Sequence, residues 1–161
     1  MSRAEAVLNA CRARGWKLAT AESCTGGMIV AALTDIAGSS DVVERGFVTY
    51  SNAAKCQMLG VRGDTLAAHG AVSEEVAAEM AAGALARSEA DIAVSVTGIA
   101  GPGGSEYKPE GRVCFGLARR DAPVETRLTD FGAPGRAEVR ARSVETALDW
   151  ILEAASRPLD A

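Results

Sequence analysis

Aromatic side chains make up only 4% of the 161 residues, histidine occurs once, and positive charge is in deficit, with 17 Lys+Arg against 21 Asp+Glu. Each shortage removes a class of function. Few aromatics leave little for base-stacking platforms or an aromatic ligand cage. A formal charge of −4 and an isoelectric point of about 5.1 provide no broad basic field for a polyanion, so nucleic acid is not an expected partner. The densest apolar run, Met28 to Leu33, falls far short of the roughly 20 residues of a membrane span. The opening Met1-Ser2-Arg3-Ala4-Glu5 has no basic region leading into an apolar one. The expectation is a soluble cytoplasmic protein with no membrane partner.

The cysteines, Cys11, Cys24, Cys56 and Cys114, are never two or three residues apart, and His69 is the one imidazole that could join them. Zinc-ligand spacing is absent, and neither a metal nor another cofactor is expected. Four thiols in a chain without an export signal read as reduced, small, semi-buried side chains. One histidine also removes most Ser-His-Asp and Cys-His schemes, and Ala68-His69-Gly70-Ala71 looks like a helix running into a turn. Nucleophilic catalysis in this chain therefore calls for a base other than histidine.

What is present is ordinary globular material, 48% apolar and 24% charged, at a length suited to one domain and one core. Ser2 and Glu5 have capping-box spacing and open a predicted helix over 2–14, closed by Gly15. Trp16 to Ala21 reads as a strand, followed by a turn at Glu22 to Gly27 and a helix from about Thr25 to Ala37. Val42 to Tyr50 is a β run with Gly46 as a weak point, and Ser51 to Leu59 a short helix. Ser73-Glu74-Glu75 caps a helix carrying Val76, Met80 and Ala84 at four-residue spacing. Ile92 to Val96 has the pattern of a central strand buried on both faces. Val113 to Ala118 and Val124 to Leu128 read as a hairpin, and Val144, Ala147, Leu148, Ile151 and Leu152 form the stripe of a final helix. The prediction is α/β: a single three-layer α/β/α domain over 1–161, with a mixed, mostly buried sheet of about five strands.

Four places could carry chemistry. Ser23 lies where a strand gives way to a helix, near the amides of Cys24, Thr25 and Gly26; it is either a nucleophile beside an oxyanion site or simply an N-cap. Tyr50 ends a strand, and Lys55 follows five residues later in a short helix; a desolvated lysine can act as a base, whereas a solvated one is only surface. The glycine-rich loop after the central strand, with Thr97, Gly98, Gly101 and Gly103, lets backbone approach a ligand, or is a rigid turn. It has neither a P-loop nor a dinucleotide fingerprint, and Lys108-Pro109 is placed to help close it. Arg136 and Arg140, one helical turn apart, suit a phosphate or carboxylate.

In combination the chain resembles the CinA C-terminal domain family, whose single-domain members are nicotinamide-nucleotide amidohydrolases. The resemblance rests on Thr20-Ala21-Glu22-Ser23-Cys24-Thr25-Gly26-Gly27, Thr34 to Ser40, Gly46 to Lys55, His69 to Val76, and Val96-Thr97-Gly98-Ile99-Ala100-Gly101-Pro102-Gly103-Gly104, in the family's order. Larger CinA proteins place another domain before this one, for which 161 residues leave no room. The resemblance implies hydrolysis of nicotinamide mononucleotide (NMN) to nicotinic acid mononucleotide and ammonia, without a cofactor, by a homo-oligomer. It implies Ser23 as nucleophile, Lys55 as base, and Tyr50 assisting proton transfer or placing the lysine. Thr97 and the Gly98 to Gly104 loop would line the nucleotide pocket, and Arg136 or Arg140 would meet the 5′-phosphate. One departure stands out: where members commonly read Gly-Asp-Arg, this chain reads Ala133-Pro134-Gly135-Arg136, with an apparent extra residue and no acid. The competing readings are an amidase for another small amide and a nucleotide-binding module without catalysis.

Overall fold

The first helix forms for local reasons. Ser2 Oγ accepts a hydrogen bond from the Glu5 amide at 3.2 Å, and Gly15, left-handed at φ 67, returns its N–H to the carbonyls of Arg12 and Cys11. Between these caps α1 (Arg3–Arg14) buries Ala4, Val7, Leu8 and Cys11, the i, i+3, i+4, i+7 face of an amphipathic helix. The computed structural model describes residues 1–158. Within them follow β1 (Leu18–Glu22), α2 (Met28–Thr34), a 3₁₀ turn (Ser39–Asp41), β2 (Val43–Val48), α3 (Asn52–Leu59) and α4 (Gly63–His69). Then come α5 (Glu74–Ala86), β3 (Ile92–Gly98), β4 (Arg112–Arg119), β5 (Glu125–Asp130) and α6 (Arg136–Ala155).

The strands form one five-stranded sheet in the order β2-β1-β3-β4-β5. β1 runs parallel to both β2 and β3, while β4 is antiparallel to β3 and β5 to β4. The predicted central strand is central, and all but its last residue are buried. The two faces differ in side-chain size. Leu18, Ile92, Val94, Val96, Phe115 and Leu117 pack with α1, α2 and α6 in the larger core. On the opposite face Ala19, Ala21 and Ala93 meet Leu59, Val76, Met80 and Ala84 of α3 and α5. Helices thus cover both faces of a mixed sheet, as the periodicities predict.

Small residues on the second face let the α5 backbone lie almost on the sheet. Ser95 Oγ donates to the Ala77 carbonyl at 2.6 Å, and a Cβ at Gly116 would stand 2.4 Å from that same oxygen. Gly46 interrupts nothing: β2 runs straight through it, and a Cβ there would lie 2.9 Å from Thr20 Oγ1. Several predicted boundaries move, β2 ending at Val48 and not at Tyr50. β1 starts after Trp16 and takes in Glu22, and α2 covers Met28–Thr34 rather than Thr25 to Ala37. Gly26 and Gly27, at φ 58 and 107, hold the intervening residues in a turn that helical dihedrals cannot supply.

Because β1, β2 and β3 are parallel, their carboxyl ends emerge along one edge, which brings Ser23, Tyr50 and Gly98 together. Among the described residues no helix is long and apolar enough to cross a membrane. Gly116→Ala is expected to push α5 off the sheet and break the Ser95–Ala77 bond, destabilising the fold by about 1–3 kcal/mol. A lower urea midpoint at unchanged slope would register it.

Candidate active site

Ser23 continues the line of β1 by one residue, its amide donating to the Val96 carbonyl at 3.0 Å, so its side chain starts from a fixed backbone. Lys55 arrives from α3. Ser51 caps that helix, accepting from the Ala54 amide at 3.0 Å, and this sets Lys55 one turn in, facing the sheet. The Lys55 Nζ lies 3.1 Å from Ser23 Oγ and 3.4 Å from the Tyr50 carbonyl oxygen. Both side chains are buried, Ser23 being 7% and Lys55 2% exposed. Among the described residues Lys55 forms no ion pair, and burial holds its ammonium below the ordinary lysine pKa. A neutral Nζ at this distance is within hydrogen-bond reach of the Oγ proton.

The turn after Ser23 is organised by a residue that sequence reasoning did not single out. Glu22 is fully buried. One of its carboxylate oxygens accepts from Thr25 Oγ1 at 2.7 Å and from the Ile29 amide at 2.9 Å, and the other accepts from the Val30 amide at 3.0 Å. The positive end of α2 is therefore occupied by the protein's own carboxylate. This corrects the expectation that helix-start amides surround Ser23: α2 begins at Met28, and the Gly26 amide is taken by the Ser23 carbonyl at 3.0 Å. Any oxyanion site belongs to the turn after Ser23 and not to the start of α2. The signal for Glu22 was a lone acid at the end of an otherwise apolar strand. Burial pushes the adjacent Cys24 thiol up to about 11, so it stays protonated at neutral pH.

A cavity of about 400 Å³ opens over this pair. Its walls include Ser23, Cys24, Tyr50, Lys55, Thr97, the Gly98–Ser105 loop, Glu106 and Arg136. Gly98, Gly101 and Gly103 thus line it, whereas Thr25, Gly26 and Arg140 do not. Thr97 Oγ1 donates to the Ala71 carbonyl at 2.8 Å, and Thr25 is buried against Glu22. The two arginines part company. Arg136 donates to the Gly101 carbonyl at 2.7 Å and to the Tyr50 hydroxyl at 3.0 Å, on the cavity wall. Arg140 instead donates to the carbonyls of Cys24 at 3.0 Å and Thr25 at 3.4 Å, bracing the turn from behind. Tyr50 reaches the lysine through its carbonyl; its ring, 63% exposed, belongs with Arg136. Lys108 ties the loop to the carbonyls of His69 and Val72, and His69 itself pairs with Glu75, away from the cavity. Among the described residues no group of three His, Cys, Asp or Glu side chains is arranged to hold a metal ion.

A family profile described as the CinA C-terminal domain matches residues 1–155. The chain belongs to that family. It is 55% identical over 152 residues to a protein of Escherichia coli K12 named nicotinamide-nucleotide amidohydrolase PncC, covering 94% of this chain and 92% of that protein. A protein of the same name from Shigella flexneri is 62% identical over 119 residues, 73% of this chain and 72% of the other. Among solved structures, the competence/damage inducible protein CihA of Agrobacterium tumefaciens matches with a TM-score of 0.91 at 50% identity, covering 96% of this chain and 94% of that one. The CinA C-terminal domain here presents an unpaired, desolvated lysine against a serine, an arrangement unfavourable for stability.

Lys55→Met is therefore expected to stabilise the fold by about 1–2 kcal/mol at neutral pH while abolishing activity. The sign follows from the lowered pKa. The unfolded chain binds the proton more tightly, so the penalty is complete below the folded pKa and fades as pH rises toward the unfolded value. Melting temperatures of the two proteins should converge in alkali.

Proposed function

We propose that this chain hydrolyses the carboxamide of NMN to nicotinic acid mononucleotide and ammonia, with Ser23 as nucleophile and Lys55 as its base. The observation that carries the reading is the 3.1 Å contact between a buried Lys55 Nζ and a buried Ser23 Oγ on the floor of a cavity. The names of the relatives supply the substrate class. Lys55 takes the hydroxyl proton as Oγ bonds to the carboxamide carbon, and the carbonyl oxygen becomes an oxyanion for which Cys24, on the cavity wall, offers its amide. Collapse breaks the C–N bond, and the Lys55 proton leaves on ammonia. Water then adds to the acyl-serine with Lys55 again as base, returning the proton to Oγ and releasing the carboxylate product.

Arg136 is the residue we assign to the 5′-phosphate. It lines the cavity, and among the described residues it pairs with no carboxylate, its hydrogen bonds running to a carbonyl and a phenol. Arg140 is assigned to the turn. At the departure before α6, Gly135 caps the helix without a side-chain bond, and Arg136 turns to Gly101 and Tyr50.

Ammonia release from NMN tests the assignment. Ser23→Ala should lower kcat by about 10³-fold or more, while Cys24→Ala, whose thiol is protonated, keeps most of the activity. Release that survives in Ser23→Ala, or none in the native protein, would reject the corresponding part of the reading. The pH profile is a second check. The working form has Lys55 neutral, so kcat/KM should climb about tenfold per pH unit and level off below the ordinary lysine range of roughly 10.4. A profile independent of pH in the neutral to alkaline range would remove Lys55 from the role of base.

A further inference from the structure

The cavity carries opposite charges on different walls. Three ionisable groups that line it bear on the substrate: Lys55, Arg136 and Glu106. Lys55 is the buried base. Arg136 is fixed against Tyr50 and Gly101. Glu106 stands on another side, its carboxylate so close to Gly70 that a Cβ there would lie 2.0 Å from Oε2. A tight turn holds it in place: Ser105 and Lys108 exchange hydrogen bonds at 3.1 and 2.8 Å, and Glu106 and Tyr107 between them are both left-handed, at φ 53 and 63. The neighbouring cation offsets part of this charge through a long salt bridge without donating a hydrogen bond to it. Lys108 Nζ is 4.0 Å from the carboxylate and donates instead to the carbonyls of His69 at 2.5 Å and Val72 at 2.6 Å.

We infer that Glu106 is a specificity-determining residue that reads the positive charge of the substrate's ring, selecting a cationic pyridinium carboxamide over a neutral or anionic one. The inference rests on the NMN reading above and extends it. NMN is itself dipolar, a quaternary pyridinium at one end and a phosphate at the other. A wall with a carboxylate and a wall with a guanidinium match that dipole in one orientation and oppose it in the other, which also directs the carboxamide. The product places a carboxylate on the same ring, where Glu106 weakens its hold and favours release. With 42% of its side chain exposed, Glu106 acts through partly screened charge, and an effect of about three- to tenfold is the expected scale.

The test compares NMN with its reduced dihydropyridine form, which keeps the carboxamide, ribose and phosphate but has an uncharged ring. Glu106→Gln should raise KM for NMN about three- to tenfold, leave kcat within about twofold, and leave KM for the reduced form unchanged. Glu106→Asp should restore part of the difference. Calorimetry on Ser23→Ala, with and without Glu106→Gln, reads Kd for both ligands even where one is not turned over. An equal change for both ligands, or none for either, would overturn the inference. Failure of the underlying reading looks different: the native protein would release no ammonia from NMN at all.

Discussion

A lysine cation costs free energy to bury when no carboxylate offsets its lost hydration, and among the described residues buried Lys55 has hydrogen bonds only to a serine hydroxyl and a backbone carbonyl. That constraint orders much of the remaining structure. A group in this position is driven toward its neutral form, and a neutral amine within hydrogen-bond distance of a hydroxyl is a base already in place. Histidine becomes unnecessary, in keeping with a chain whose single imidazole pairs with Glu75 away from the cavity. Keeping the lysine there requires rigid surroundings. The capped α3 provides the approach, and the line of β1 into Ser23 provides the target.

The same economy governs negative charge. Helix starts attract anions, yet the start of α2 is filled by Glu22, whose two oxygens take three hydrogen bonds from Thr25, Ile29 and Val30. Filling it internally fixes the turn that presents Ser23 and leaves substrate anions to other groups. Arg140 contributes from another side, holding the turn by the carbonyls of Cys24 and Thr25. Arg136, one turn earlier on α6, is left on the cavity wall. Two arginines one helical turn apart thus do different work because one meets the carbonyls of the turn after Ser23 and the other meets Gly101 and Tyr50 on the cavity wall.

Much of this was legible in the sequence where signals were local. The caps at Ser2 and Ser73 and the double-faced burial of Ile92 to Val96 gave most elements and the order of layers. The start of α2 was misplaced because helical periodicity does not register two successive left-handed glycines. Glu22 stayed hidden for a different reason. An acid at a strand end looks exposed until the fold closes three donors around it, and those donors come from residues three to eight positions away, across a turn. The separation of Arg136 from Arg140 was likewise beyond spacing, since their partners lie 35 to 116 residues away in sequence. The lysine and serine, 32 residues apart, met only through the parallel pairing of β1 with β2.

The mixed character of the sheet explains how one edge becomes a walled site. Three parallel strands deliver their carboxyl ends side by side, which alone would give an open ledge. After β3 the chain does not cross over through a helix but returns directly as antiparallel β4, so the 99–111 loop must stay at that edge. Its base is pinned where Ile99 donates to the Arg112 carbonyl at 2.9 Å and Gly111 to the Ile99 carbonyl at 2.8 Å. Lys108 pins its far side to the segment before α5. Held at both ends, the loop is a standing wall rather than a free lid, and the charge on Glu106 is carried at a fixed place on it. The parallel half of the sheet brings Ser23 and Lys55 together and the antiparallel half supplies the enclosure, so a change of strand direction at β4 is what turns a row of strand ends into a cavity.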